Sequence, residues 1–222
     1  MELRNAVIVD AARTAIGRVG DGAFSTIRAE DMLAIVFRAL LARNPGLPAG
    51  RIEDVLVGCS FPEAEQGLNL GRRVAMLAGL PLEVPGITIN RFCAAGADAL
   101  HSAARSIMTG CGDAFLVGGV ENMSHVPLGG FRRADGIHPA LVDRGLVYPM
   151  TQTAEEVAEE HGVSREEMDA LALRSHRLAA AAARSGIFAE EILPVGLPGG
   201  GVADRDENIR EDATLEKIAA LD

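Results

Sequence analysis

The 222-residue sequence has no run of the roughly 18 to 20 apolar residues that a membrane-crossing helix requires, although 48% of its residues are hydrophobic. No membrane partner is expected. Nor does it open with a charged region, an apolar core and a small-residue cleavage site. Residues 1–5 run straight into a strand-like segment, so a cytoplasmic location is expected. Positive charge is scarce: the net charge is −10, and Lys217 is the only lysine among 21 basic residues. A general nucleic-acid binder carries the opposite balance. An anionic ligand would need a local cluster of donors rather than help from the global field. Cysteine is limited to Cys59, Cys93 and Cys111. The count is odd and contains no C-x-x-C pair, which argues against a disulfide framework and a zinc site. Each cysteine stands alone, as a small buried hydrophobe or as a reactive thiol.

What is present is a core-forming pattern large enough for one or two domains. Ala6-Val7-Ile8-Val9 reads as a strand. Residues 30–43 have helical spacing, with Met32, Ile35, Val36, Ala39 and Leu40 on one face, and Asn44-Pro45-Gly46 stops them. Residues 55–58 read as a second strand, 70–77 as a short helix, and 87–90 as a third strand rich in β-branched residues. Residues 94–108 form an alanine-rich helix closed by Gly110, and 114–117 a fourth strand. Apolar strands alternating with helices indicate an α/β sheet with helices on both faces.

The texture changes after residue 122. Residues 123–150 hold glycines and prolines with little periodicity and read as a long functional loop. A helix follows at 153–161. Ser164 and Glu167 then form a capping box for a helix running to about Arg184. Residues 191–195 read as an edge strand, 198–201 as a turn, and 213–221 as a further helix.

Chemistry concentrates at Asn90-Arg91-Phe92-Cys93-Ala94-Ala95-Gly96. A strand ends there and a helix begins within about two residues. Cys93 therefore falls near a helix N-terminus, where unpaired N–H groups and the helix dipole favour the thiolate, the nucleophilic form. Ala94, Ala95 and Gly96 are small enough for close backbone approach to a ligand. On these residues alone, a buried structural cysteine remains the competing reading. Cys59 follows a strand with no helix after it, and Cys111 follows a helix at its negative end, so both read as structural. A cysteine nucleophile usually needs a base. His101 lies two turns along the helix, too far to bond the Cys93 sulfur. His161 and His176 read as solvated. His125 and His138 lie in the long loop, and none of the five is placed as a partner.

Several ordered segments together resemble the thiolase family. Asn90 to Gly96 is similar to the family's acyl-cysteine segment. Gly118-Gly119-Val120-Glu121-Asn122-Met123-Ser124 with Pro127 resembles its G-G-x-E-x-M-S loop, and Thr153-Ala154-Glu155 with Val157-Ala158 its T-A-E-x-V-A helix start. Ser164-Arg165-Glu166, Asp169, Ala172, Ser175, Gly186, Phe188 and Glu191-Ile192 with Pro194-Val195 continue the pattern. Residues 62–69, Pro-Glu-Ala-Glu-Gln-Gly-Leu-Asn, look most like bacterial degradative 3-ketoacyl-CoA thiolases.

The resemblance implies a thiolase-like layered αβα core over 1–121, an inserted CoA-side loop domain over 122–211, and a truncated return to the core over 212–222. It implies Cys93 as the residue that forms a thioester, in 3-ketoacyl-CoA thiolysis or the reverse Claisen condensation. The Cys93 backbone N–H would serve as an oxyanion donor. Pro149 and Met150 match positions beside the family's substrate pocket. CoA and acyl-CoA would be substrates, with no bound cofactor, and a homo-oligomer or a separate C-terminal half chain would be the protein partner.

The family's Asn-Glu loop, its Gly-His-Pro segment and its C-x-G acid/base cysteine do not occur in the sequence. The resemblance therefore covers only the nucleophile-bearing half of an incomplete two-domain fold. Pro149 stands where many relatives place His, Thr151 replaces a usual Gly, and Ala97-Asp98 replaces an apolar or amide pair. Residues 199–201 shorten a hairpin that in relatives carries basic contacts to CoA. Two alternatives stay open: a truncated non-catalytic CoA-binding or oligomerisation module, and a related condensing enzyme on the same fold.

Overall fold

The computed structural model describes residues 3–131, 138–145 and 148–221. The chain forms two compact units, 1–131 with 191–207, and 132–190 with 208–222. This division differs from boundaries at 121 and 211. Residues 122–131 and 191–207, expected in the inserted domain, belong with the first unit, and 212–222, expected to return to the core, belong with the second.

The first unit is built on a parallel sheet of three strands in the order β2-β1-β3. These are β1 (Asp54–Gly58), β2 (Gly86–Ile89) and β3 (Phe115–Gly119). Helices α1 (Ala29–Arg43) and α2 (Leu70–Leu77) pack on one another and on the sheet, and α3 (Ala95–Met108) contacts all three strands. Alternation along β1 divides its side chains between two cores. Val55 and Val57 join Leu33, Phe37, Leu70 and Val74 of α1 and α2, whereas Leu56 joins Ala99 and Ala103 of α3. The central strand is thus covered on both sides, which explains its unbroken apolar sequence. Full burial of a side chain such as Phe37 contributes about 1.5–3 kcal/mol.

Helix boundaries follow local chemistry. Asn69 caps α2, its side chain accepting from the Arg72 N–H, and the α2 span 70–77 coincides with the sequence reading. The buried stripe of α1 centres on Leu33, Val36 and Phe37, not on Ile35 and Ala39, which are only partly covered. Gly71 and Gly86 let α2 lie against the backbone of β2: a Cβ at Gly71 would stand 2.2 Å from the Ile87 carbonyl oxygen.

The N-terminal segment is the main departure. Residues 6–9 form no strand, and Val7, Ile8 and Val9 are 75%, 71% and 81% exposed. Their β propensity is not realised because no described strand runs beside them to supply backbone hydrogen bonds. The segment is anchored at its ends instead. Arg4 N–H donates to the Met108 carbonyl, Asp10 pairs with Arg43 and Asn44, and Arg13 pairs with Glu191 and Asp206. The expected edge strand at 191–195 reduces to a bridge between Arg13 and Ile192 and a two-residue hairpin strand, β4 (Val195–Gly196), paired with β5 (Val202–Ala203).

The second unit is helical: α4 (Pro139–Val142), α5 (Met150–His161), α6 (Arg165–Ser185) and α7 (Leu215–Ala219). The capping box at Ser164 is fully formed: its hydroxyl accepts from the Glu167 N–H, and the Glu167 carboxylate takes the Ser164 N–H at 2.9 Å. Within the long loop, α4 occupies one turn, while residues 132–137 and 146–147 lie outside the described residues.

Candidate active site

Strand β2 ends at Ile89, and the chain then makes a tight turn before α3 begins at Ala95. The turn is made by Phe92, which has φ +47°, a left-handed conformation rare for a bulky residue. Asn90 spans it. Its Oδ1 accepts the Phe92 N–H at 2.9 Å, and its Nδ2 donates to the Ser60 carbonyl at 3.0 Å. The Phe92 ring lies 6.1 Å from that of Phe61, centroid to centroid, and Arg91 pairs with Asp98 of the first α3 turn at 3.1 Å. Helical hydrogen bonding starts within the turn, where the Ala95 N–H donates to the Phe92 carbonyl at 2.9 Å.

Cys93 is exposed, two residues ahead of α3. Among the described residues, no protein acceptor takes the N–H of Cys93, Gly96 or Ala97. These donors stand free at the positive end of a 14-residue helix, none more than four residues from Cys93 in sequence. The strand tip and the helix start approach closely because residue 58 is glycine, whereas a Cβ at Gly96 would meet nothing within 4 Å. A Cβ on Gly58 would fall 2.5 Å from the Ala95 carbonyl carbon and from the Gly96 nitrogen, so the strand tip and the helix start meet backbone to backbone.

Cys93 faces a cavity of about 340 Å³ whose other walls are the C-terminal tips of β1 and β3, including Gly58, Cys59, Gly119 and Glu121. The carboxyl ends of parallel strands are where open α/β sheets place ligands. The Glu121 carboxylate accepts the Ser60 N–H at 2.7 Å and the Gln66 Nε2 at 2.5 Å, with the Cys59 sulfur 3.7 Å away. Gln66 is wholly buried. It also donates to the Phe61 carbonyl at 2.8 Å, and its Oε1 takes the Asn122 N–H at 2.6 Å. Asn122 in turn donates to the Phe24 and Ile27 carbonyls.

Cys59 lines the same cavity as Cys93 but has the opposite character. Burial, reinforced by the negative charge of Glu121, pushes its thiol up to about 12. It remains a neutral S–H at physiological pH. That agrees with its structural reading. Cys111 is exposed and sits against Thr109 after α3.

No histidine bonds Cys93 among the described residues. His125 is held by Glu65 through Nδ1 and by the Ser25 carbonyl through Nε2, both at 2.8 Å. His138 caps α4, and His176 accepts the Arg210 N–H. Pro149 precedes α5 and Met150 begins it, 77% exposed, in the second unit. No group of three or more His, Cys, Asp or Glu side chains is arranged to hold a metal among the described residues. Among the described residues, no helix is long and apolar enough to cross a membrane.

Asn90, Gln66 and Glu121 were not singled out by sequence reasoning as parts of the site. The available signal was a polar residue close behind two of the strands: Asn90 directly after β2, and Glu121 two residues after β3.

A family model described as thiolase, N-terminal domain, matches residues 6–222. A 3-ketoacyl-CoA thiolase of Escherichia fergusonii is 46% identical over 99% of this chain and 57% of its own length. One from Escherichia coli matches equally, and one from Shewanella denitrificans is 44% identical over the same shares. The chain thus spans little more than half the length of these relatives. With a match over nearly every residue and a layered αβα core that places Cys93 at a helix N-terminus, the chain belongs to the thiolase N-terminal domain family.

Proposed function

We propose that this chain is the nucleophile-bearing part of a 3-ketoacyl-CoA thiolase, with Cys93 as the acyl acceptor. The observation that carries the reading is exposed Cys93, among free backbone N–H groups at the start of α3 and facing the cavity at the strand tips.

In the proposed reaction the Cys93 thiolate adds to the keto carbon of a 3-ketoacyl-CoA. The bond between that carbon and the α-carbon breaks. Its electron pair leaves with acetyl-CoA as the enolate, which takes up a proton, and the acyl group stays on sulfur as a thioester. The thiolate of free CoA then adds to the thioester carbonyl, and collapse releases acyl-CoA and the Cys93 thiolate. Splitting the transfer in two is the gain from covalent catalysis. The free N–H of Cys93 would stabilise the oxyanion at each addition. By resemblance, the residues that help generate the thiolate and that protonate the enolate belong to the half of the relatives that this chain does not span. Homo-oligomerisation and a cytoplasmic location complete the proposal. By resemblance, Pro149 and Met150 are proposed as substrate-binding residues.

The test is mass spectrometry on the chain supplied with its complementary half and a 3-ketoacyl-CoA. An acyl adduct confined to Cys93 supports the reading. CoA binding without any adduct would establish instead the non-catalytic CoA-binding module.

A further inference from the structure

We infer that Asn90 is a positioning residue for Cys93, acting by holding Phe92 in its left-handed backbone conformation. The inference rests on the reading of Cys93 as the nucleophile.

Phe92 has no intrinsic reason to adopt φ +47°, since a Cβ crowds the backbone there. Something around it must fix that geometry. The Asn90 amide does so from both ends. Its oxygen takes the Phe92 N–H, and its nitrogen is tied to the Ser60 carbonyl. Aspartate would lack the donor and alanine both groups. Ser60 is itself a fixed point: its N–H is bound by Glu121, which is held by the wholly buried Gln66. An unbroken line of hydrogen bonds thus runs from the buried polar wall, through the Ser60 backbone and the Asn90 side chain, to the residue before the nucleophile. The Phe92 carbonyl then accepts the first N–H of α3, so any rotation at Phe92 shifts both Cys93 and the helix entrance.

The experiment uses the full chain and iodoacetamide near neutral pH, comparing labelling of Cys93 with that of exposed Cys111 by peptide mass spectrometry. The unaltered chain labels Cys93 first. Asn90→Ala lowers the Cys93-to-Cys111 ratio by about tenfold, the scale on which a single strained backbone residue acts. Asn90→Asp, which keeps the acceptor for Phe92, falls between the two. Adding Phe92→Gly to Asn90→Ala restores the ratio to within about twofold, because glycine enters the left-handed region freely. Circular dichroism and the melting midpoint confirm that each variant is folded.

The inference is overturned if Asn90→Ala keeps the full ratio. It is also overturned if a folded Asn90→Ala chain loses the ratio and glycine at 92 does not return it. Equal slow labelling of Cys93 and Cys111 in the unaltered chain overturns the nucleophile reading, and this inference with it.

Discussion

Two walls of one cavity are built by opposite means. The wall formed by the tips of β1 and β3 is buried and saturated with hydrogen bonds. Glu121 satisfies a backbone N–H and an amide, and Gln66 joins Phe61, five residues before it, to Glu121 and Asn122, 55 and 56 residues after it. Its cysteine, Cys59, is driven toward the neutral form. The facing wall is an exposed turn with a left-handed phenylalanine and free backbone donors, and its cysteine is open to solvent. The same thiol group is inert on the first wall and available on the second. Rigidity on one side allows strain and exposure on the other, since a strained turn persists only where its surroundings over-determine it.

The sharpest way to break this contrast is to exchange the cysteines for alanine in turn. Cys93→Ala should abolish covalent capture of any acyl group or alkylating reagent at the cavity. It should alter stability by no more than about 0.5 kcal/mol, because the side chain is exposed. Cys59→Ala should do the reverse, leaving Cys93 labelling intact and lowering the unfolding free energy by about 1–2 kcal/mol. If Cys59→Ala were the variant that lost the adduct, the two walls would have been assigned the wrong way round.

The next test strikes where the walls meet. Gly58→Ala sets a Cβ 2.5 Å from backbone atoms of Ala95 and Gly96, and backbone cannot move aside as a side-chain tip can. A loss of up to about 3 kcal/mol in urea-measured stability is expected, together with a loss of Cys93 selectivity as the start of α3 is pushed off the strand tip. Somewhat smaller is Gln66→Ala. It strands the buried Asn122 N–H, at about 2 kcal/mol, and lets Glu121 relax. Stability would fall while Cys93 stays reactive if the turn can hold itself without the buried wall. Loss of both would show that it cannot.

The part of this architecture legible in sequence is the part set by local signals. The α2 span, the capping box of α6 and the entry of Cys93 into a helix N-terminus all follow from neighbouring residues and were readable as such. The N-terminal strand was not, because β structure needs a neighbour as well as propensity, and none of the described strands supplies one to Val7, Ile8 and Val9. The buried wall was invisible for a related reason. Gln66 and Glu121 are 55 positions apart and meet only once β1 and β3 are paired. The left-handed Phe92 was hidden because such a conformation is normally marked by Gly or Asn, and here the marker is Asn90, two residues earlier.

A further effect, absent at neutral pH, tests the electrostatics of the inert wall. The Cys59 thiol is raised in the folded chain from an ordinary 9.0 to about 12. Between those values an unfolded chain would release the Cys59 proton while the folded chain keeps it. The unfolded state then binds fewer protons, so stability falls as pH rises, with no contribution below about 9. The unaltered chain should therefore lose stability more steeply than Cys59→Ala between about pH 9 and 12, and the two slopes should coincide from pH 6 to 8. Denaturant titrations at each pH measure the difference. Parallel slopes in the alkaline range would mean that water reaches Cys59 in the folded state, and the contrast between the walls would then rest on hydrogen bonding alone.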